Sequence, residues 1–338
     1  MKLHDFDFYL PKELIAQHPT DKRDHSRLMI VNRNDHTISH RHFYDITHEL
    51  SDNDVLVIND TKVMPARLLG VKENTEAFIE ILLLKEVSPM VWEAMTKPAR
   101  RVKIGTKIHF SNLLVAECIG IKDEGLRLFK MAYEGIFIEV LEKLGTMPLP
   151  PYITEQLKEQ DRYQTVYAKD FGSAAAPTAG LHFTHDLLNT LRAKGVTIVP
   201  ITLHVGLGTF KPVQVETIET HKMHEETYTI SPESAHILNQ AVLNKKRIIC
   251  VGTTSLRTLE SNFNGLFTPG TFETSIFIYP GYTFKVVNSL ITNFHLPKST
   301  LIMLISALSS KEFMLDCYTE AVKERYRFFS FGDAMFIK

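Results

Sequence analysis

The feature that most restricts the fold is a change of hydrophobic texture at Pro65 that reverses near Pro150. Ahead of it, residues 28–30 and 55–58 are short unbroken apolar runs bounded by polar turn residues, the pattern of strands buried on both faces. Beyond Pro65 the segments 77–84, 91–95, 107–110, 114–119 and 126–130 only half alternate, and Gly105, Gly120 and Gly125 punctuate them. Short strands at that spacing with turn signals predict a small antiparallel barrel or sandwich. After the proline-rich exit MPLPPYI (residues 147–153), strands at 197–205 and 247–251 alternate with helices near 185–194 and 231–246. Ser231 is placed to cap the second helix, Pro232 suits its first turn, and Ala235, Leu238, Ala241, Val242 and Lys245 share one face at helical spacing. Alternation of this kind implies an α/β domain. Because the chain before Pro65 has the same character, the α/β domain reads as discontinuous, residues 1–62 and 152–338, with a β module at 63–151 inserted into it.

Composition sets the outer limits. At 338 residues the chain exceeds what one core usually holds, and 44% hydrophobic with 23% charged residues describes an ordinary globule. The formal net charge of -1 means that a nucleic-acid partner would be met by a local basic patch. Cys118, Cys250 and Cys317 are far apart and form no C-x-x-C pair, which argues against a disulfide framework or a thiolate metal site and fits a reducing compartment. The opening MKLHDFDFYL has no apolar signal region, and the longest apolar run, 301–308, is too short to span a bilayer. The expectation is a cytoplasmic protein without membrane association.

Several segments carry residue types suited to chemistry. GSAAAPTAGLHFT, residues 172–184, sets Ala176, Pro177, Thr178 and Gly180 before His182, so a ligand could approach its main chain closely; a tight packing loop around a structural histidine is the alternative. In HVGLGTF, His204 stands at a predicted strand end and Gly206, Gly208 and Phe210 follow, where α/β folds bind ligands; a plain turn is the alternative. VGTTSLRT brings Thr253, Thr254, Ser255 and Arg257 to a helix start, suited to a carboxylate or phosphate, or simply to capping. HKMHEE holds His221 and His224 at H-x-x-H spacing, but no third ligand supports a metal, and proton transfer or a surface turn fits better. Tyr279, Asn293 with His295, and Asp333 lie on later turns that mix aromatic and polar groups. Lys97, Arg100, Arg101 and Lys103 form a basic patch in the β module that contacts phosphates or is a solvated hairpin.

Taken in order, LPKELIAQHP, RDHSRLMIV, VLVINDTKVMPARLLG, AAPTAGLHFT, LHVGLGTFKPV, HKMHEE, VGTTSLRTLES, FIYPGY, LITNFHLPKSTL and YRFFSFGDAM make the chain resemble the S-adenosylmethionine:tRNA ribosyltransferase-isomerase family over nearly its whole length. It departs from that pattern at Lys62, at Asn288 and Ser289, at Phe331 and over residues 74–78. The resemblance implies a discontinuous α/β-barrel domain with an inserted small antiparallel β-barrel. It also implies a monomer or weak dimer acting on S-adenosylmethionine, a ribosyl donor rather than a permanently bound cofactor, and on tRNA with a GUN-type anticodon carrying 7-aminomethyl-7-deazaguanine. Such a reaction needs a base for the proton beside the sulfonium, an acid for the departing adenine and a clamp for methionine, and no metal. His182 or His204 is then expected as base, and Asp333, His221 or His224 as acid. Thr253, Thr254, Ser255 and Arg257 would hold the carboxylate, Phe210 or Tyr279 would stack on a base, and the basic patch would grip the anticodon stem. The rival enzyme is a methyltransferase using the same donor, and the rival of another class is a non-catalytic RNA-binding module.

Overall fold

In the computed structural model, which describes residues 1–122, 125–155, 157, 159–206 and 213–338, the run Asp54–Asn59 is buried at every position. DVLVIN has no polar face to give to solvent, so it becomes a central strand with neighbours on both sides. The chain enters its larger unit, residues 1–61, 151–170 and 176–338, through β1 (Arg27–Asn32), β2 (Thr37–His42) and β3 (Asp54–Asn59). It leaves along β4 (Thr61–Val63) for the smaller unit, residues 62–150 and 171–175. There follow β5 (Arg67–Lys72), β6 (Phe78–Ser88), β7 (Val91–Lys97), β8 (Lys107–Phe110), β9 (Leu114–Ile121), β10 (Arg127–Tyr133) and α1 (Phe137–Leu144). The return passes through β11 (Asp170–Ser173) to α2 (His185–Ala193), β12 (Thr197–Leu203), β13 (Glu226–Ile230) and α3 (Pro232–Leu243). The last elements are β14 (Arg247–Val251), α4 (Gly252–Asn262), β15 (Gly270–Thr274), β16 (Ser289–Asn293), α5 (Thr300–Ala307), α6 (Lys311–Lys323) and β17 (Ala334–Ile337).

The larger unit is α/β, built on a nine-stranded mixed sheet in the order β15-β13-β12-β3-β14-β16-β17-β1-β2 among the described residues. Its middle strands β12, β3, β14 and β16 run parallel, with Val55 beside both Thr197 and Ile248, and Cys250 beside Leu290. The edge strand β2, TISHRH, has no long apolar run and exposes Arg41 and His42, charged or polar groups that discourage pairing with another chain. Helix α3 starts as its sequence implies, with Ser231 Oγ accepting the Ser234 N–H at 3.0 Å and Pro232 in the first turn. It buries Ala235, Leu238 and Ala241, but it ends at Leu243 and Lys245 lies beyond it, exposed and at φ 53°. The lysine therefore does not continue the apolar face.

The smaller unit is a closed antiparallel barrel, β10-β7-β6-β5-β8-β9. Alternation along the first part of β6 turns Ile79, Ile81 and Leu83 inward, into one core with Trp92, Phe110 and Phe129. Two elements here escape a reading of sequence texture. Strand β5 contains Gly70, and a Cβ at that position would stand 2.7 Å from the Phe110 ring, so the residue that weakens the strand pattern is the one that lets the ring pack. Helix α1 adds Val140 and Leu141 to the barrel core.

Arg127, only 8% exposed, anchors the loop that carries the basic patch: its guanidinium donates to the carbonyls of Val102 at 3.2 Å, Ala99 at 3.1 Å and Gly125 at 2.6 Å. Among the described residues no helix is long and apolar enough to cross a membrane.

Candidate active site

The parallel strands β12, β3, β14 and β16 deliver His204, Asn59, Gly252 and Asn293 to their carboxyl ends, the place where open α/β sheets bind ligands. Asn59 ties this rim together. Its Oδ1 accepts the N–H groups of Thr61 at 3.2 Å and Leu203 at 3.0 Å, and its Nδ2 donates to the Leu203 carbonyl at 3.0 Å and to Thr254 Oγ1 at 3.3 Å. Thr61 Oγ1 in turn meets His204 Nδ1 at 2.8 Å. Burial pulls the His204 pKa below its ordinary value against an opposing pull from Asp170, so the imidazole is neutral near pH 7. Its Nε2 has no hydrogen-bond partner among the described residues. Next to it, Asp60 accepts from Thr202 Oγ1 at 2.6 Å, and the same hydroxyl lies 3.4 Å from Asp170. Burial, with the neighbouring Asp170 charge, raises the Asp60 carboxyl.

The small-residue segment folds back onto the same rim. Thr178–His182 is a single 3-10 turn, and Ala176, Pro177 and Gly180 are buried. Thr178 Oγ1 donates to Asn293 Oδ1 at 2.9 Å, and Asn293 Nδ2 donates to His182 Nε2 at 3.0 Å. An amide NH2 can only donate, so Nε2 is the acceptor and the proton on Nδ1 points to Ser26 Oγ at 2.7 Å. His182 thus has both nitrogens engaged, stacks on Phe43, and is drawn down to about 3 by burial first, then by Arg23 and Arg327. Gly180 is small for a reason inside the fold, since a Cβ there would lie 2.1 Å from the Tyr167 hydroxyl.

Helix α4 starts at Gly252, whose φ of 84° only glycine adopts easily, and no side chain caps it. Ser255 Oγ donates back to the Val251 carbonyl at 2.8 Å, Thr253 is buried, and Thr254 is held by Asn59. The first-turn amides keep the partial positive charge of a helix start. Arg257 is buried and ion-paired through Nη1 to Glu226, while its Nη2 has no partner. Glu226 also takes the Gly206 N–H at 3.3 Å, joining two glycine-bearing turns through one carboxylate.

The remaining predicted residues fall into distinct surroundings. His221 is half-buried with its ring edge-on to Phe277 at 5.4 Å, and Phe277 meets Tyr279 at 4.9 Å, giving one aromatic group. Burial and His224 lower the His221 pKa, and His224 itself is exposed. Asp333 is buried and accepts the backbone N–H groups of Arg27 and Arg327, each at 2.8 Å. His295 is buried, bonded to Thr292 Oγ1 at 2.8 Å, and drawn down to about 3 by burial. Gly208 and Phe210 lie outside the described residues. In the smaller unit Lys97, Arg100, Arg101 and Lys103 are all exposed, and none forms an ion pair among the described residues. Asn59, Asp60, Thr61 and Ser26 were not singled out from the sequence, although a buried run that ends abruptly in Asn-Asp-Thr is a readable strand-end signal.

Residues 3–337 match the family model described as queuosine biosynthesis protein. The chain belongs to this family. This queuosine biosynthesis protein is also similar to the crystal structure of S-adenosylmethionine tRNA ribosyltransferase from Thermotoga maritima, at 37% identity, with 99% of this chain and 100% of that chain covered and a TM-score of 0.57. Asn59, Thr61, His204 and Asn293 form the polar rim at the carboxyl ends of the parallel strands.

Proposed function

We propose that the chain is an S-adenosylmethionine:tRNA ribosyltransferase-isomerase, the activity carried by its full-length likeness to the Thermotoga maritima enzyme. It moves the ribosyl unit of the sulfonium donor to 7-aminomethyl-7-deazaguanine at the wobble position of a tRNA with a GUN-type anticodon, and releases adenine and methionine. His204 is the residue best suited to take the proton beside the sulfonium. Its imidazole is neutral, oriented by Thr61 through Nδ1, and free at Nε2 among the described residues. His182, with both nitrogens spent inside the fold, is better suited to holding the Thr178–Asn293 turn in place. His221 is favoured as the acid for adenine because Phe277, which its ring meets, and Tyr279 offer rings on which a purine stacks. The two N–H groups held by Asp333 leave its carboxylate less suited to that task. The uncapped first turn of α4, with Thr253, Thr254 and the partnerless Nη2 of Arg257, supports a clamp for the methionine carboxylate.

Incubation with S-adenosylmethionine and precursor tRNA is expected to yield free adenine and methionine in equal amounts. Release of S-adenosylhomocysteine would make the chain a methyltransferase, and no turnover with intact tRNA binding would make it a binding module. Replacing Lys97, Arg100, Arg101 and Lys103 together with alanine is expected to weaken tRNA binding and to lower its salt slope by about three, from counterions no longer released. An unchanged slope in filter binding would remove the patch from the interface.

A further inference from the structure

A small hollow on the larger unit is lined by Arg23, Arg162 and His182 together with the apolar Pro19, Leu181 and Phe331. Its arginines are unusual in what they lack. Arg23 donates to the carbonyls of Leu181 at 3.2 Å and Asp161 at 3.0 Å, and Arg162 donates to those of Asp21 and Thr20. Arg327, whose charge acts on His182 beside the hollow, donates to the His18 carbonyl. None of the three meets a carboxylate within ion-pair distance among the described residues, and Arg162 Nε is buried without a partner. The nearest acidic charges act on them only at a distance: Asp161 is exposed and pulls on Arg23, and Asp333, whose carboxylate takes two main-chain N–H groups, pulls on Arg327. Burial, and after it the neighbouring Arg162 charge, lowers the Arg23 pKa against an opposing pull from Asp161.

Guanidiniums fixed by backbone carbonyls, with no carboxylate in ion-pair contact among the described residues, have the makings of an anion site. We propose that Arg23 and Arg162, supported by Arg327, bind the phosphodiester backbone of the RNA substrate. The proposal rests on the tRNA reading given above. A phosphodiester chain is favoured over a single carboxylate because the excess charge of three guanidiniums is more than one monoanion neutralises, while successive phosphates along a strand supply several. The hollow also abuts His182, which holds the rim residue Asn293, so a phosphate bound there lies on the same unit as the reacting group.

The test is binding of an unmodified tRNA transcript across a salt series without donor, alongside steady-state KM values for tRNA and for S-adenosylmethionine. Arg23→Gln and Arg162→Gln are each expected to weaken tRNA binding about tenfold and to reduce the salt slope by about one, with the donor KM unchanged. Arg162→Lys, which keeps the charge, is expected to recover the slope. Thermal midpoints identify a variant that has lost its fold, and the two positions are read independently for that reason. An unchanged tRNA affinity and slope in folded variants would overturn the proposal, as would a raised donor KM with unchanged tRNA binding, which would assign the hollow to the methionine carboxylate. If the wild-type chain binds tRNA yet releases no adenine, the ribosyltransferase reading fails while the arginine site is still scored by the binding data.

Discussion

Replacing His204 with alanine is expected to lower turnover on the order of 10²- to 10⁴-fold, the usual contribution of a positioned general base. The loss should appear in kcat with little change in thermal midpoint, because the ring is only partly buried and Thr61, its side-chain partner among the described residues, has the Asp170 carbonyl within 3.5 Å as another acceptor. The sign of the pH dependence follows from the direction of the shift. Burial disfavours the imidazolium, so the folded pKa lies below the ordinary value of 6.5. The base is therefore deprotonated and competent at neutral pH, and kcat/KM falls as the pH drops through that lowered value. A kcat/KM profile with its acidic limb above 6.5, or alanine at 204 with wild-type turnover, would take His204 out of the chemistry. His182→Ala should differ in kind. It removes a side chain 4% exposed that joins Ser26 to Asn293, so the loss is of folded protein before it is of rate.

The largest stability effect is expected at Glu226. Alanine there leaves the Arg257 guanidinium buried without its counter-charge and frees the Gly206 N–H, and removing one partner of a buried pair costs about 3–5 kcal/mol. Denaturant unfolding should show a lower midpoint with an unchanged slope. Methionine at both 226 and 257 should be less destabilised than alanine at 226 alone, since neither charge is then stranded. A Glu226→Ala midpoint close to wild type would mean that water reaches Arg257 and that the pair is not what holds the two turns together.

The architecture was legible because its signals are local. The unbroken apolar run 55–58 reads as a strand buried on both faces, and Ser231 and Pro232 specify the start of α3 within a few residues. The barrel strands only half alternate, but their short spacing and glycine turn signals were enough to predict an antiparallel barrel or sandwich, although Gly70 hid β5, because the glycine answers to Phe110, a residue 40 positions away in sequence. Motifs such as VGTTSLRT and HVGLGTF likewise mark strand ends, where side chains gather whatever their roles.

Which groups at those ends are spent and which are available was decided only by the tertiary structure. His182 and His204 look alike as residues on glycine-containing loops, yet one has both nitrogens bonded within the fold and the other has Nε2 open among the described residues. Arg257 invites an anion from its place in the sequence, and the fold gives Nη1 to Glu226 and leaves only Nη2 unpartnered. Periodicity and capping depend on neighbours within a few residues, so the chain alone determined its elements and their class. Protonation, burial and hydrogen-bond occupancy depend on atoms brought together from positions far apart, and those quantities separate a reacting group from a structural one.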